Sequence, residues 1–217
     1  MIGPKDIFKI MSNLVVIYLA GGLILVSAYA FTSPIVAKND ANKKNQVLKS
    51  MIPGSEKVVK LGDWTISDKT AEYYKALAAN DKIAGYIIET YGKGYSSNIH
   101  SMLAVDPSMR IVNITILSQA ETPGLGDEVE SKWFKGQFIG KNLSNMEVVK
   151  TTGTDKIQAL TGATISSRAV VNSEKAALEF LEKAIQTTSS TAVDSSIQAV
   201  AGATKATATN ASQAGKQ

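Results

Sequence analysis

Cysteine is absent from the 217 residues, and histidine occurs once, at His100. Without thiols there is no disulfide, no thiolate zinc site and no Cys-ligated iron–sulfur cluster. A single histidine argues against a polyhistidine metal site or a haem held by two histidines. It also leaves no nucleophile–histidine–carboxylate set for hydrolysis, and His100 sits in a strand pattern that reads as an ordinary surface or core position. No Gly-rich loop of the P-loop or dinucleotide-binding type occurs. The net charge is only +4. It is spread along the chain, without the basic run or aromatic interleaving that would point to nucleic acid. If this chain moves electrons, it must borrow an organic cofactor.

What the chain does have is one long uncharged block. Ile10 to Ala37 holds no Asp, Glu, Lys or Arg, and Lys9 and Lys38 bracket it. As a helix, the block would run roughly 42 Å, longer than the ~30 Å hydrocarbon core of a bilayer. Its apolar heart is Leu14 to Phe31, with Tyr18 and Tyr29 suited to the interfaces and Pro34 towards the far end. An uncleaved single-span anchor is the expectation. A signal peptide cut after Ala30, in Ser27-Ala28-Tyr29-Ala30, is its rival. Lysines do not settle the orientation. Lys5 and Lys9 precede the span and Lys38, Lys43 and Lys44 follow it, which counted naively puts the large domain inside, yet long domains cross largely regardless of charge.

After the block, residues 39–51 read as a helical continuation closed by Pro53-Gly54. Lys69 to Ala79 reads as a short helix, from Ala71, Tyr74, Leu77 and Ala78 near helical spacing. Three strand-like runs come next: Lys82 to Tyr91, Ile99 to Val105 and Arg110 to Leu117. Gly92-Lys93-Gly94-Tyr95 and Asp106-Pro107-Ser108 join them as turns, which predicts an antiparallel meander. Glu128 to Phe138 reads as a helix with Val129, Trp133 and Phe134 on one face. Glu147 to Lys150 and Lys156 to Leu160 read as short strands. A closing helix from about Ser166 to Gln186 places Val170, Ala177, Leu178, Leu181 and Ile185 on one stripe, as packing on a sheet requires. The fold class expected is therefore α+β: a single N-terminal transmembrane helix, then a domain with a mainly antiparallel sheet packed by helices. From Thr187 the chain is dominated by small and polar residues and reads as a disordered tail.

Two stretches carry chemistry. Asp155 to Arg168, D-K-I-Q-A-L-T-G-A-T-I-S-S-R, ends a strand, turns through Thr161-Gly162-Ala163-Thr164 and opens the closing helix. A threonine hydroxyl there stands at a helix N-terminus, where unpaired N–H groups and the dipole favour an anion. Gly162 and Ala163 lack bulk, so a large group can lie close to the backbone. The site suits a phosphate near, or attached to, Thr164, although a plain N-cap uses the same residue types. The second stretch is Glu121-Thr122-Pro123-Gly124-Leu125-Gly126, directly after the third strand run. By itself it reads as a strand-to-helix loop capped by Asp127.

Asp followed by [Ser/Thr]-Gly-Ala-Thr-x-[Ser/Thr] resembles the flavinylation motif of the FMN-binding domains in the membrane electron-transport complexes called Rnf and Nqr. E-T-P-G-L-G is similar to a second hallmark of that family, and G-K-G-Y-S-S at Gly92 to Ser97 to a third, all in the family's order. The resemblance implies a covalent FMN, joined by a phosphoester to Thr164 and installed by a separate flavin transferase that uses FAD with Mg²⁺. It assigns Thr161, Gly162 and Ala163 to the turn and Glu121 to Gly126 to part of the flavin wall, with Glu121, Thr122, Gly124 and Leu125 as the cofactor-binding residues there. Ser166 or Ser167 would cap helix N–H groups beside the phosphate, and Asp155 would help the transferase recognise the segment. The implied organisation is an anchor at 1–37, an FMN-binding domain at 38–187 and a tail at 188–217. In the tail, Ala201-Gly202-Ala203-Thr204 repeats part of the motif without the preceding Ser/Thr or a helix after it, so Thr204 is read as a decoy.

The implied function is electron relay between reduced ferredoxin and NAD⁺, coupled to Na⁺ or H⁺ movement. The chain would act as a single-pass component of the cytoplasmic membrane, with its flavin domain outside. Its partners would be the other membrane subunits, the transferase and lipid, and it would have no substrate pocket of its own. Between the two complexes the Rnf G subunit is the closer match, and the Nqr C subunit is the alternative. A membrane-tethered binding or regulatory module of the same fold is a competing class, separated from the relay by flavin content.

Overall fold

The computed structural model of the chain describes residues 3–151 and 153–186. The tail at 188–217, with Thr204, lies outside the described residues. The chain divides into two compact units between Val47 and Leu48.

The first unit is formed by the helix α1, Pro4–Ser50, which runs on past its end. The helix includes the expected continuation beyond Lys38 and passes through Pro34, which can donate no N–H to the ladder. Its side chains from Leu14 to Leu19 are all exposed, so apolar groups point in every direction and no polar face exists there. A helix apolar all round is suited to lipid rather than to one packed seam. It is long and apolar enough to cross a membrane. Ser27 Oγ donates to Leu23 O at 2.8 Å, satisfying a hydroxyl within the helix itself.

The second unit is built on a five-stranded antiparallel meander, in the order β1 (Lys57–Ile66), β2 (Lys69–Leu77), β3 (Ile83–Lys93), β4 (Asn98–Val105) and β5 (Ile111–Ser118). The last three match the expected strands. Lys69 to Ala79 does not form the helix expected of it, because β2 lies between β1 and β3 and pairs with both. Ala71 and Tyr74, read as neighbours on a helix, lie on opposite faces of the sheet. Ser67 and Asp68, both at positive φ (48° and 60°), make the two-residue turn joining β1 to β2.

One face of the sheet carries Trp64, Ala71, Ile88, Leu103 and Ile114, and it is covered by the closing helix α3 (164–186). The expected stripe is the buried one: Val170, Ala177, Leu178 and Leu181 are fully enclosed and Ile185 packs at the edge. Burying each leucine contributes about 2 kcal/mol. Gly92 lets α3 approach, since a Cβ there would stand 2.3 Å from Ala169 O. Thr90, Ser101 and Glu174 form a polar group within this interface, the two hydroxyls lying 3.0 and 2.6 Å from one Glu174 oxygen. On the other face Leu48, Met51 and Ile52 are buried, and a Cβ on Gly85 of β3 would lie 2.8 Å from Ile52 Cδ1.

The expected helix from Glu128 to Phe138 is two pieces, a 3-10 turn at Gly126–Glu130 and α2 at Lys132–Gly136. Ser131 separates them with extended backbone angles, and its Oγ accepts the Phe134 N–H as an N-cap. Val129 and Phe134 enter the core, but Trp133 is exposed, a correction to the single face read for the three. Two short strands, β6 (Val148–Val149) and β7 (Ile157–Gln158), pair in parallel and lead into the turn before α3.

Candidate functional site

The turn before α3 is tight. Ala163 N–H donates to Leu160 O at 3.1 Å, and Gly162 takes φ +78°, where an L side chain would be strained. Ala163 O then accepts the Ser167 N–H at 3.0 Å, the first bond of the helix, which makes Ala163 the N-cap and Thr164 the first helical residue. The N–H groups of Thr164, Ile165 and Ser166 therefore have no carbonyl one turn back within the helix, and the positive end of the dipole lies with them. Thr164 is half-buried. Among the described residues, no protein group hydrogen-bonds its hydroxyl.

Neither serine in the next positions caps these N–H groups. Ser167 Oγ turns back, accepting the Leu160 N–H at 2.9 Å and donating to Ala163 O at 2.9 Å. Ser166 Oγ donates to Glu121 Oε2 at 2.6 Å. Ser167 thus locks the turn, and Ser166 ties the first turn of α3 to Glu121.

Glu121 is the joint of the site. Its Oε2 also accepts the Tyr95 N–H at 3.0 Å. Its Oε1 accepts Ser96 N–H at 3.1 Å, Ser97 N–H at 2.9 Å and Ser97 Oγ–H at 3.1 Å. One buried carboxylate thereby ties together the β3–β4 loop, the loop after β5 and the first turn of α3. Burial pushes the carboxyl up, but the Ser166 hydroxyl and the N–H groups of Tyr95, Ser97 and Ser96 outweigh it. They hold the group below the ordinary carboxylate range, so it stays ionised and accepts all five bonds. After Glu121 the chain folds sharply, with Thr122 O accepting the N–H groups of Leu125 and Gly126 at 3.1 and 3.0 Å. Gly126 is required there, because a Cβ would stand 2.8 Å from both Glu121 Cβ and Ser166 Oγ.

A cleft of about 460 Å³ opens where these segments meet. Of the residues singled out from sequence, Thr164, Gly162, Ala163, Glu121, Thr122, Leu125 and Gly126 line it. Thr161 and Gly124 do not: both are exposed, at the turn before α3 and at the loop tip with φ +73°. Sequence reasoning passed over Tyr95 and Ile165 as lining residues, and it read Ser166, which also lines the cleft, only as a candidate helix cap. Tyr95 lies inside the third shared element, so the signal was present, but its meeting with the other two depends on the fold.

Asp155 stands apart from the cleft. It is exposed and paired with Lys141, and Asn145 Nδ2 donates to it at 2.5 Å, so it pins the segment before β7 to the 141–145 loop. The Lys141 ammonium holds its carboxyl below the ordinary range. His100 does not line the cleft either. Its ring stacks on Tyr91 at 4.3 Å, and its Nε2 lies 3.6 Å from Glu89 Oε2.

Residues 94–179 match the FMN-binding domain family, a span that contains all three segments of the cleft. The chain is 34% identical over 176 residues to the G subunit of a proton-translocating ferredoxin:NAD(+) oxidoreductase complex from Clostridium ljungdahlii, covering 81% of this chain and 91% of that one. It is 25% identical over 185 residues to the G subunit of an ion-translocating oxidoreductase complex from Methanosarcina acetivorans, covering 83% and 97%. Its fold resembles the crystal structure of the C subunit of the Na(+)-translocating NADH-quinone reductase from Parabacteroides distasonis, with TM-score 0.52 and 22% identity over 68% of this chain and 95% of that one.

Proposed function

The chain belongs to the family of G subunits of ion-translocating oxidoreductase complexes, and from that premise we propose that it is a membrane-anchored flavin carrier with FMN esterified to Thr164. The observation that carries this reading is the Thr164 hydroxyl, unengaged among the described residues, on the wall of a cleft at a helix N-terminus. The neighbouring groups fit FMN. The first N–H groups of α3 suit its phosphate, Gly162 and Ala163 leave room beside the backbone, and exposed apolar side chains at the rim suit a flat ring. Bound FMN supplies one- or two-electron exchange, which joins a two-electron donor to one-electron carriers. The protein's part is to hold it, and a phosphoester would keep it on a domain facing open space.

In this reading, residues 1–37 anchor the chain in the cytoplasmic membrane and the flavin domain at 38–187 faces away from the cytoplasm. A flavin transferase with Mg²⁺ loads Thr164 from FAD: the hydroxyl oxygen bonds the FMN phosphorus as the pyrophosphate bond breaks, AMP leaves and the hydroxyl proton is released. The other membrane subunits exchange electrons with the loaded domain. The complex is of the Rnf type, passing electrons between ferredoxin and NAD⁺ with Na⁺ or H⁺ translocation. The two relatives matched by sequence over 91% and 97% of their length are G subunits, which favours that type over the Nqr C subunit.

Co-expression with a flavin transferase, then a denaturing gel under ultraviolet light, tests the anchor. The wild-type band should fluoresce, Thr164→Val should be dark, Thr164→Ser should load in part, and Thr204→Val should match wild type. Because no described residue bonds the Thr164 hydroxyl, the valine variant should remain folded. A fluorescent Thr164→Val band that darkens only when Thr204 is replaced would overturn the assignment.

A further inference from the structure

The flavin reading concerns the phosphate end of the ligand. The rim of the cleft bears on its ring, and a role for the rim rests on that reading. Three large apolar side chains of the lining stand in solvent: Tyr95, 73% exposed, Ile165, 53%, and Leu125, 45%. Single exposed apolar residues need no explanation, but these come from three different segments and converge on one cavity. No cationic side chain lines the cleft, and both oxygens of Glu121, its one carboxylate, are already engaged. Charge pairing is therefore not what these rim side chains offer a ligand; their large surfaces offer dispersion and stacking.

Tyr95 differs from the other two in how it is held. Its N–H is fixed to Glu121, those of Ser96 and Ser97 are fixed to the same carboxylate, and Gly94 N–H closes the turn on Ser97 O at 2.8 Å. Gly94 admits no side chain, since a Cβ would meet Glu121 Oε1 at 2.5 Å. On this rigid base the phenol ring is uncovered. The ring pairs of the described residues engage Trp64, Tyr73, Tyr91, His100, Phe134, Phe138 and Phe180, and Tyr95 is in none of them. A fixed backbone presenting a bare ring beside a cavity is pre-organised to receive a flat partner, because little freedom is lost when the partner arrives.

We propose that Tyr95 lies against the isoalloxazine ring of the flavin carried on Thr164, with Leu125 and Ile165 as the aliphatic contacts. Thr164 then holds the phosphate end while Tyr95 sets where the ring rests, so Tyr95 is a cofactor-contacting residue absent from the turn motif itself. A phenol in contact with a flavin quenches its emission, which gives a readout independent of turnover.

The test uses the full-length chain, co-expressed with the flavin transferase and purified in detergent. Visible absorbance gives flavin per chain, and emission per bound flavin is compared before and after denaturation. Wild type should be strongly quenched when native. Tyr95→Leu should raise native emission several-fold per flavin, Tyr95→Trp should restore quenching, and all three should emit equally once denatured. Trp133→Leu, an exposed ring that does not line the cleft, should leave native emission at the wild-type level. Fully loaded Tyr95→Leu with unchanged native emission overturns the proposal. If Tyr95→Leu loads less flavin, Tyr95→Phe, which keeps the ring, must recover the loading, and failure to recover it also overturns the proposal. A wild-type chain that carries no flavin removes the premise instead, and absorbance reports that before any emission is compared.

Discussion

Replacing Glu121 by glutamine keeps the shape of the side chain and removes half of its accepting capacity. Two orientations are open to the amide. With its oxygen in the place of Oε1, it keeps the bonds from Ser96, Ser97 N–H and Ser97 Oγ. Its NH₂ then meets the Tyr95 N–H across 3.0 Å, donor against donor, while the Ser166 hydroxyl can rotate to accept. With the amide flipped, two backbone donors, the N–H groups of Ser96 and Ser97, lose their acceptor instead of one, so the first orientation prevails. Leaving one part-buried N–H unpaired costs about 1–3 kcal/mol, and the surviving bonds lose the strengthening that an ionised acceptor confers. The expected loss is about 2–3 kcal/mol, or roughly 6–9 °C in melting temperature for a domain of this size. Thermal unfolding of the detergent-solubilised chain, followed by the emission of buried Trp64, measures it. Ser166→Ala should cost less in the Glu121→Gln background than in wild type, because the two side chains share one bond. Asp155→Asn, at an exposed ion pair, should shift the melt by much less. A Glu121→Gln chain that melts with wild type, or costs that add independently with Ser166→Ala, would refute the idea that this carboxylate joins the three loops.

Glu174 should make the domain weaker at alkaline pH. Burial pushes its carboxyl up to about 7, against 4.5 as its ordinary value, and the hydroxyls of Ser101 and Thr90 offset that only in part. The folded state therefore binds the proton more tightly, so stability is full below 4.5, falls as pH rises and levels off above 7. The total loss is about 3 kcal/mol, and Glu174→Gln should flatten that slope in urea titrations across the range. For the anchor and its orientation, protease added to intact spheroplasts should degrade the domain while intact mass shows a chain starting at or near Met1. Protection from protease would reverse the orientation, and a mature N-terminus just after Ala30 would replace the anchor with a cleaved signal peptide.

The sequence alone determined the features whose cause is local. Twenty-eight uncharged residues bounded by lysines need a helix, because an apolar solvent leaves no other partner for the backbone, and α1 contains them all. Turn residues at Gly94-Tyr95 and Asp106–Ser108 delimit three strands, although Gly92 and Lys93, read as turn, extend β3 and pair with Ile99 and Asn98. The period of Val170, Ala177, Leu178 and Leu181 identifies the buried face of α3. Other features depend on what the fold brings alongside. β2 carries a spacing that an isolated helix could satisfy, yet pairing with β1 and β3 decides its backbone. β1 itself escapes a reading from sequence, since its turn to β2 is Ser67-Asp68 rather than the Asn-Gly that announces a hairpin. Glu121 resembles part of a ligand wall, but its donors stand 24 to 26 residues away in the β3–β4 loop and 45 residues away in α3. Tyr95 belongs to a shared element that assigns it no role, and only its meeting with Leu125 and Ile165 at one cavity supplies one. Hydrophobic runs and turn angles are settled within a few residues. The pairing of strands and the satisfaction of a buried charge are settled by groups that only the tertiary structure brings together.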